Sequence, residues 1–360
     1  MMRIAVLGSG NGGCAIAADC ALQGNDVSLF DFERFSSNIN AIKNAQGIQS
    51  SGIINGFAPV SYAGHDIEKT VKDAEVVFVV GPSYATVPFA RAYKKAMQKG
   101  QKVIVCPGTN GGALVFKKEI GMDFSDTDIV VSETSTLPYA CRILNPGEVH
   151  IFHKLKDGFY IASLPASAID RVYRVFIRVY PGGRMMKNVL QTLLQNGNNV
   201  IHPAVSLLNV GRIESNRDFL FYEEGITPAV GKLMEVVDKE RMASAEAFGL
   251  EILDEPETGY LQGFMLEKNY HTGYTKAPGF KGIKAPTRID NRYFTEDVGY
   301  GLVLLEDMAK TVGVETPVIT SIIRLASVLL ETDYHAAALR SLAELGLKGF
   351  TKEEMMEAVK

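Results

Sequence analysis

The chain contains no tryptophan and only four cysteines in 360 residues. Cys14, Cys20, Cys106 and Cys141 show no CxxC or zinc-like spacing. Neither a disulfide scaffold nor a cysteine metal site is therefore expected, and reduced thiols in a cytoplasm are the simplest setting. No apolar run is long enough to span a bilayer. The opening run, Met1-Met2-Arg3-Ile4-Ala5-Val6-Leu7, lacks the apolar stretch and cleavage site of a signal peptide. Excess charge of one sign is also missing. A net charge of -4, with acids and bases interspersed, argues against the concentrated basic face of a nucleic-acid binder. Low-complexity segments and internal repeats are absent as well. What remains is an ordinary globular composition, 46% hydrophobic and 22% charged, on a chain long enough for two domains.

The first half alternates short β-branched runs with helical stretches. Arg3–Leu7, Val27–Phe30, Val76–Val80, Val103–Cys106 and Ile129–Val131 are almost entirely apolar rather than alternating, the pattern of strands covered on both faces. Helix-like segments lie between them at Cys14–Gln23, Ala85–Gln98 and Ala113–Ile120. This alternation implies a parallel sheet. Two strand-like runs within His150–Leu164, joined at Lys156-Asp157-Gly158, are expected to form a hairpin added to it. The pattern breaks at Tyr180-Pro181-Gly182-Gly183, and beyond it the chain reads as helix. Thr227-Pro228 and Thr316-Pro317 are helix starts, and Gly249 is a stop. Thr351 and Glu354 have capping-box spacing. Glu255–Asn291, rich in Gly, Pro, Tyr and Lys, is expected to be a long irregular loop. The expected fold is α/β: an N-terminal Rossmann doubly wound sheet over residues 1–185, then an all-α C-terminal domain over residues 186–360.

Gly8-Ser9-Gly10-Asn11-Gly12-Gly13 fits GxGxxG, directly after a strand and at the opening of a helix. Gly8 suits a tight turn, Gly10 a close approach to a pyrophosphate, and Gly13 close packing of helix on strand. The first-turn N–H groups then face the phosphates. Asp31 ends the second strand, 18 residues after Gly13, where an acid accepts from ribose hydroxyls and repels a 2′-phosphate. NAD is thus favoured, and the nearby Arg34 leaves NADP open. The remaining strands end in Gly81-Pro82-Ser83, Pro107-Gly108-Thr109-Asn110 and Glu133-Thr134-Ser135. Ligands sit at such carboxyl ends in open α/β sheets, so these loops should line the nicotinamide half of the site, with Asn110 and Thr134 as candidate substrate contacts.

A reductase also needs a proton donor and a holder of substrate charge. His202 stands out in Asn196-Gly197-Asn198-Asn199-Val200-Ile201-His202-Pro203, with Asn198, a candidate substrate contact, one helical turn earlier. Pro203 should kink or start a helix there. Arg292 and Asp297 close the long loop, and Thr295 reads as a cap that puts Asp297 in a first turn. Each residue also has a plain structural reading. A lone histidine at a kink is often part of a core, an acid in a first turn suits the helix dipole, and Arg292 can pair with a nearby acid.

These stretches resemble the opine dehydrogenase family of the octopine/nopaline dehydrogenase type. The resemblance rests on Gly8–Gly13, residues 107–112, Glu133-Thr134-Ser135, and Asn198 through His202-Pro203. It continues in Arg212-Ile213-Glu214-Ser215, Glu224-Gly225-Ile226-Thr227-Pro228, Arg292-Tyr293-Phe294 and Glu296-Asp297. It runs nearly the full length. It implies NAD(P)H-dependent reductive condensation of an amino acid's α-amine with a 2-oxo acid such as pyruvate. It also implies that His202, Asp297 and Arg292 form the catalytic group, with closure over the Glu255–Asn291 segment excluding water. The expected partners are these small molecules, and a homodimer is compatible with the chain. Two other readings remain open at this point. One is a ketopantoate-reductase-like or 2-hydroxy acid dehydrogenase, which needs no amine. The other is a dinucleotide-binding redox sensor, which has no need of the three residues together.

Overall fold

A computed structural model describes residues 1–215, 217–337 and 339–360. Two compact units emerge from it. One comprises Met1–Thr192 with Ala358–Lys360, the other Leu193–Glu357.

The first unit holds two sheets. Its strands in chain order are β1 (Arg3–Leu7), β2 (Asp26–Phe30), β3 (Gly47–Gly52), β4 (Gly56–Pro59), β5 (Tyr62–Gly64) and β6 (Val76–Val79). They continue with β7 (Lys102–Val105), β8 (Val130–Thr134), β9 (Tyr139–Asn145), β10 (Glu148–Lys154), β11 (Tyr160–Leu164) and β12 (Arg184–Met185). The main sheet runs β12-β11-β8-β7-β6-β1-β2-β5. Its pairs are parallel except β11 against β8. The strand order reverses at β1, between β2 and β6, and the glycine-rich turn follows that strand. This is the crevice position where open α/β sheets bind nucleotides. β6, β8 and β11 are buried at every position, as expected of strands covered on both faces.

The expected hairpin within residues 150–164 does not form. β10 joins β9 and β3 in a separate four-stranded sheet, and β11 joins β8 in the main sheet. The burial patterns give the reason. β11 is apolar enough to be buried throughout, whereas β10 alternates buried and exposed residues and needs only one covered face. Its nearer partner is β9, across the tight turn at Pro146-Gly147.

The second unit is helical. The helix Pro228–Phe248 starts and stops where expected: Thr227 Oγ1 accepts from Val230 N, and Gly249 takes the left-handed conformation at φ 73°. The helix Pro317–Leu329 also begins at its threonine-proline pair, but Thr316 makes no side-chain cap. The Glu240 carboxylate accepts from Val318 N and Ile319 N instead, both at 2.9 Å. The Thr351–Glu354 capping box forms in both directions. The stretch expected to be irregular is partly ordered, with helical turns at Glu255–Leu261, Thr272–Thr275 and Pro278–Phe280. Asp254 caps the first by accepting from Glu257 N at 2.7 Å, with Pro256 in its first turn. Among the described residues, no helix is long and apolar enough to cross a membrane.

Candidate active site

The glycine-rich turn is built as a nucleotide cradle requires. Gly8 has φ 117°, its N–H donates to Phe30 O at 2.8 Å, and a Cβ there would collide with the Val80 carbonyl. A Cβ on Gly13 would strike the Gly8 carbonyl, so the helix Asn11–Leu22 sits hard against the turn. Around Gly10 there is open space on the Cβ side, which is where a pyrophosphate needs room. The helix's first N–H groups lack intrahelical carbonyls, and its dipole favours an anion there. These residues fit a dinucleotide.

Asp31 is buried at the end of β2. Its Oδ2 accepts from Ser9 N and Ser9 Oγ, both at 2.7 Å, and its Oδ1 accepts from Phe32 N at 2.8 Å. Ser9 fills Oδ2, and Oδ1 keeps lone-pair capacity for a ribose hydroxyl. Arg34 is exposed and lies over the Phe35 ring, 4.9 Å from its centroid. Asn11 is committed within the fold, its Oδ1 accepting from Ile143 N at 2.8 Å. Gly12 faces Leu137 and Val80. Gly81 and Pro82 are half-buried before the buried Ser83. Asn110, at φ 64°, donates through Nδ2 to Ser83 Oγ at 3.1 Å. Thr134 is fully buried, its hydroxyl donating to Thr136 O at 2.9 Å. Asn110 and Thr134 thus have evident tasks in shaping these loops.

In the helical unit His202 lies on the helix Asn198–Leu208, which contains Pro203 rather than beginning at it. Helix Pro228–Phe248 ties down the chain just ahead of that helix, at Leu194. There the buried Arg241 pairs with Asp238 at 2.6 Å, and its terminal nitrogens donate to Leu194 O and Leu253 O. Asn198 is half-buried one turn before His202, and its neighbour Asn199 is buried. Asp297 opens a π-helical stretch, Asp297–Leu302, a distortion frequent at functional sites. The turn before it, Arg292–Thr295, is capped by Asn291, whose side chain accepts from Tyr293 N at 2.9 Å; Thr295 closes that turn instead of capping the next.

His202 Nδ1 meets Asp297 Oδ2 at 2.9 Å, and both residues are buried. A carboxylate only accepts, so Nδ1 carries the hydrogen and the neutral ring presents a lone pair at Nε2. The Tyr222 hydroxyl lies 3.2 Å from Nε2 and is placed to donate. Burial, followed by the charges of Tyr293 and Asp297, pushes the Tyr222 hydroxyl well above the usual tyrosine range, so it stays a neutral phenol. The Tyr293 ring stacks on the imidazole at 4.1 Å, and Phe221 meets its edge at 6.1 Å. Arg292 is mostly exposed, with its guanidinium 3.1 Å from the Glu296 carboxylate, and its charge is felt at Tyr222. The structure therefore joins His202 to Asp297 directly and sets Arg292 beside this group, paired with Glu296 rather than Asp297. Tyr222 escaped sequence reasoning, because Phe219-Leu220-Phe221-Tyr222 carries no spacing that marks it. Tyr293 lay inside the resembling stretch without a role.

The sequence profile of the NAD/NADP octopine/nopaline dehydrogenase alpha-helical domain matches residues 185–330, and that of the NAD-dependent glycerol-3-phosphate dehydrogenase N-terminus matches residues 3–123. An opine dehydrogenase of Arthrobacter sp. (strain 1C) is 36% identical over 357 residues, covering 99% of this chain and 98% of that protein. Vitopine synthase of Allorhizobium ampelinum is 27% identical, covering 100% and 99%. An octopine dehydrogenase solved with NADH and agmatine has the same fold, at a TM-score of 0.79 with 19% identity over 100% of this chain and 99% of that one. With a nucleotide cradle on one unit, a histidine-aspartate pair on the other and kinship along the whole length, the chain belongs to the opine dehydrogenase family of NAD(P)-dependent oxidoreductases.

Proposed function

We propose that His202, Asp297 and Arg292 carry the proton and charge chemistry of reductive condensation, in which a 2-oxo acid such as pyruvate and an L-amino acid give an N-(carboxyalkyl)amino acid. The observation that carries this reading is the buried contact between His202 Nδ1 and Asp297. Asp297 fixes the ring's tautomer and stabilises its protonated form. The other edge of the imidazole then serves the oxygen that leaves as water when amine and carbonyl condense. Arg292 suits the oxo acid's carboxylate, since a guanidinium offers two parallel donors. NAD(P)H supplies the hydride when bound. Ser9 N and Oγ hold Asp31 in place at the nucleotide end, and NAD is the preferred form. A cytoplasmic setting suits this cofactor and four cysteines whose spacing carries no disulfide framework.

The test follows NADH absorbance with pyruvate alone and then with a panel of L-amino acids. Wild type should oxidise NADH only when an amine is present. His202→Ala and Asp297→Asn should lose about 10²–10⁴-fold in rate, the usual share of acid–base catalysis. Their NADH affinity, read by fluorescence titration, should not change. Oxidation with pyruvate alone would transfer the assignment to 2-hydroxy acid chemistry. Binding of NADH without any turnover would support a sensor.

A further inference from the structure

The Nε2 edge of His202 is not open. Nδ1 is held by Asp297, one face of the ring is covered by Tyr293, and Nε2 points at the Tyr222 hydroxyl. Tyr222 is itself clamped. Its ring stacks on Phe280 at 4.4 Å with planes 16° apart and meets Phe221 edge-on at 5.1 Å. The backbone around it is pinned, because Phe221 N donates to Ile283 O at 2.8 Å and Ala285 N donates to Phe219 O at 2.9 Å. Swinging the phenol away from Nε2 would unstack this aromatic cluster.

Resting on the reading that His202 is the site's acid, we propose that Tyr222 is a further catalytic residue, passing the proton between His202 Nε2 and the substrate's carbonyl oxygen. In the forward step the imidazolium Nε2–H bond breaks and its proton goes to the Tyr222 oxygen. The Tyr222 O–H bond breaks together with it, and that proton goes to the oxygen destined to leave as water. Tyr222 ends the step as the same neutral phenol. The imidazolium has become imidazole and the substrate oxygen has gained one proton, so charge and atoms balance. The two transfers are concerted. Burial among the rings of Phe221, Tyr274 and Phe280 makes a phenolate costly, and Tyr222 cannot hold an extra proton.

Concerted transfer of two protons gives a signature that packing alone cannot mimic. Single-turnover NADH oxidation is measured with pyruvate and the most active amino acid of the panel, in mixtures of H₂O and D₂O. For wild type, the rate plotted against deuterium fraction should be curved. Tyr222→Phe keeps the stacked ring and should slow turnover at least tenfold, straighten that plot and leave NADH affinity intact. Without any turnover, the ¹⁵N resonance of His202 Nε2 in the apoprotein should move toward the value of a nitrogen without a donor. A straight wild-type plot overturns the proposal. So does a variant that keeps wild-type speed, or one that slows yet keeps the curvature. If wild type shows no amine-dependent turnover, the underlying functional reading fails. An unmoved ¹⁵N resonance in Tyr222→Phe then counts separately against the Tyr222 contact.

Discussion

Among the described residues no cation pairs directly with the buried carboxyl of Glu255. The buried guanidinium of the region, Arg241, bonds Asp238 and two backbone carbonyls. Asp238 is filled by Arg241, Glu255 N and the Tyr270 hydroxyl. The Tyr274 hydroxyl leans toward Glu255 without completing a full hydrogen bond elsewhere. Burial first, then the charge of Asp238, pushes the Glu255 carboxyl up to about 8. An unfolded glutamate titrates at about 4.3, so between these values the folded chain binds the extra proton. Stability from this group is therefore full below the unfolded value and is lost as pH rises toward 8. Melting curves at pH 5, 6.5, 8 and 9 should show wild type losing ground to Glu255→Gln as pH rises, with the gap levelling above 8. A gap that stays constant across that range would disprove this account. Such effects are hidden from sequence, where Glu255 reads as one more loop acid. His202 and Asp297 lie 95 residues apart, so no spacing marks the pair, and it rested on the chemistry of the two side chains and on resemblance to a family pattern. Nothing of that kind marked Tyr222.

The helix carrying His202 and the π-helical stretch carrying Asp297 approach each other at Gly301, where a Cβ would overlap the Asn199 side chain. That close approach lets two elements distant in sequence hold a 2.9 Å contact. Gly301→Ala forces the buried Asn199 amide to move or the two elements to part, at a cost of about 1–3 kcal/mol for an overfilled core. It should also lower turnover up to about 100-fold, since a shift near 1 Å in a positioned group costs that much. Adding Asn199→Ala vacates the space, so the double variant should melt higher than Gly301→Ala alone. If it melts lower, the collision is not the cause. Element by element, legibility followed burial. β1, β6 and β7 stand out because both faces are covered and the runs are largely apolar, whereas β2 and β8 were marked by their apolar stretches alone, β8 going on into the polar Ser132-Glu133-Thr134. β3 and β4 were missed because Gly47-Ile48-Gln49-Ser50-Ser51-Gly52 and Gly56-Phe57-Ala58-Pro59 are short and rich in glycine and serine. The Asp254 cap was readable, yet the glycine, proline and lysine that follow masked it as loop.

At the scale of the molecule the chain leaves its first unit after Thr192 and re-enters it at Ala358. Local pattern gives no clue to this return, because it depends on contacts made more than 190 residues away. Ala166 N donates to Val359 O at 3.0 Å, Ser167 N donates to Lys360 O at 2.9 Å, and Val359 is fully buried. A chain ending at Glu357 loses the burial of one valine, about 1.5–3 kcal/mol, and two hydrogen bonds at about 1 kcal/mol each. The nucleotide-binding unit should therefore unfold at a lower temperature than in the full chain. NADH binds this unit and stabilises it by mass action, so saturating NADH should restore part of the lost melting temperature in the shortened chain. The His202–Asp297 pair lies in the other unit and should keep its ¹⁵N signature at temperatures where both units are folded. Melting followed with and without NADH checks the first two expectations. An unchanged transition in the shortened chain would mean that these three residues rest on the nucleotide unit without supporting it.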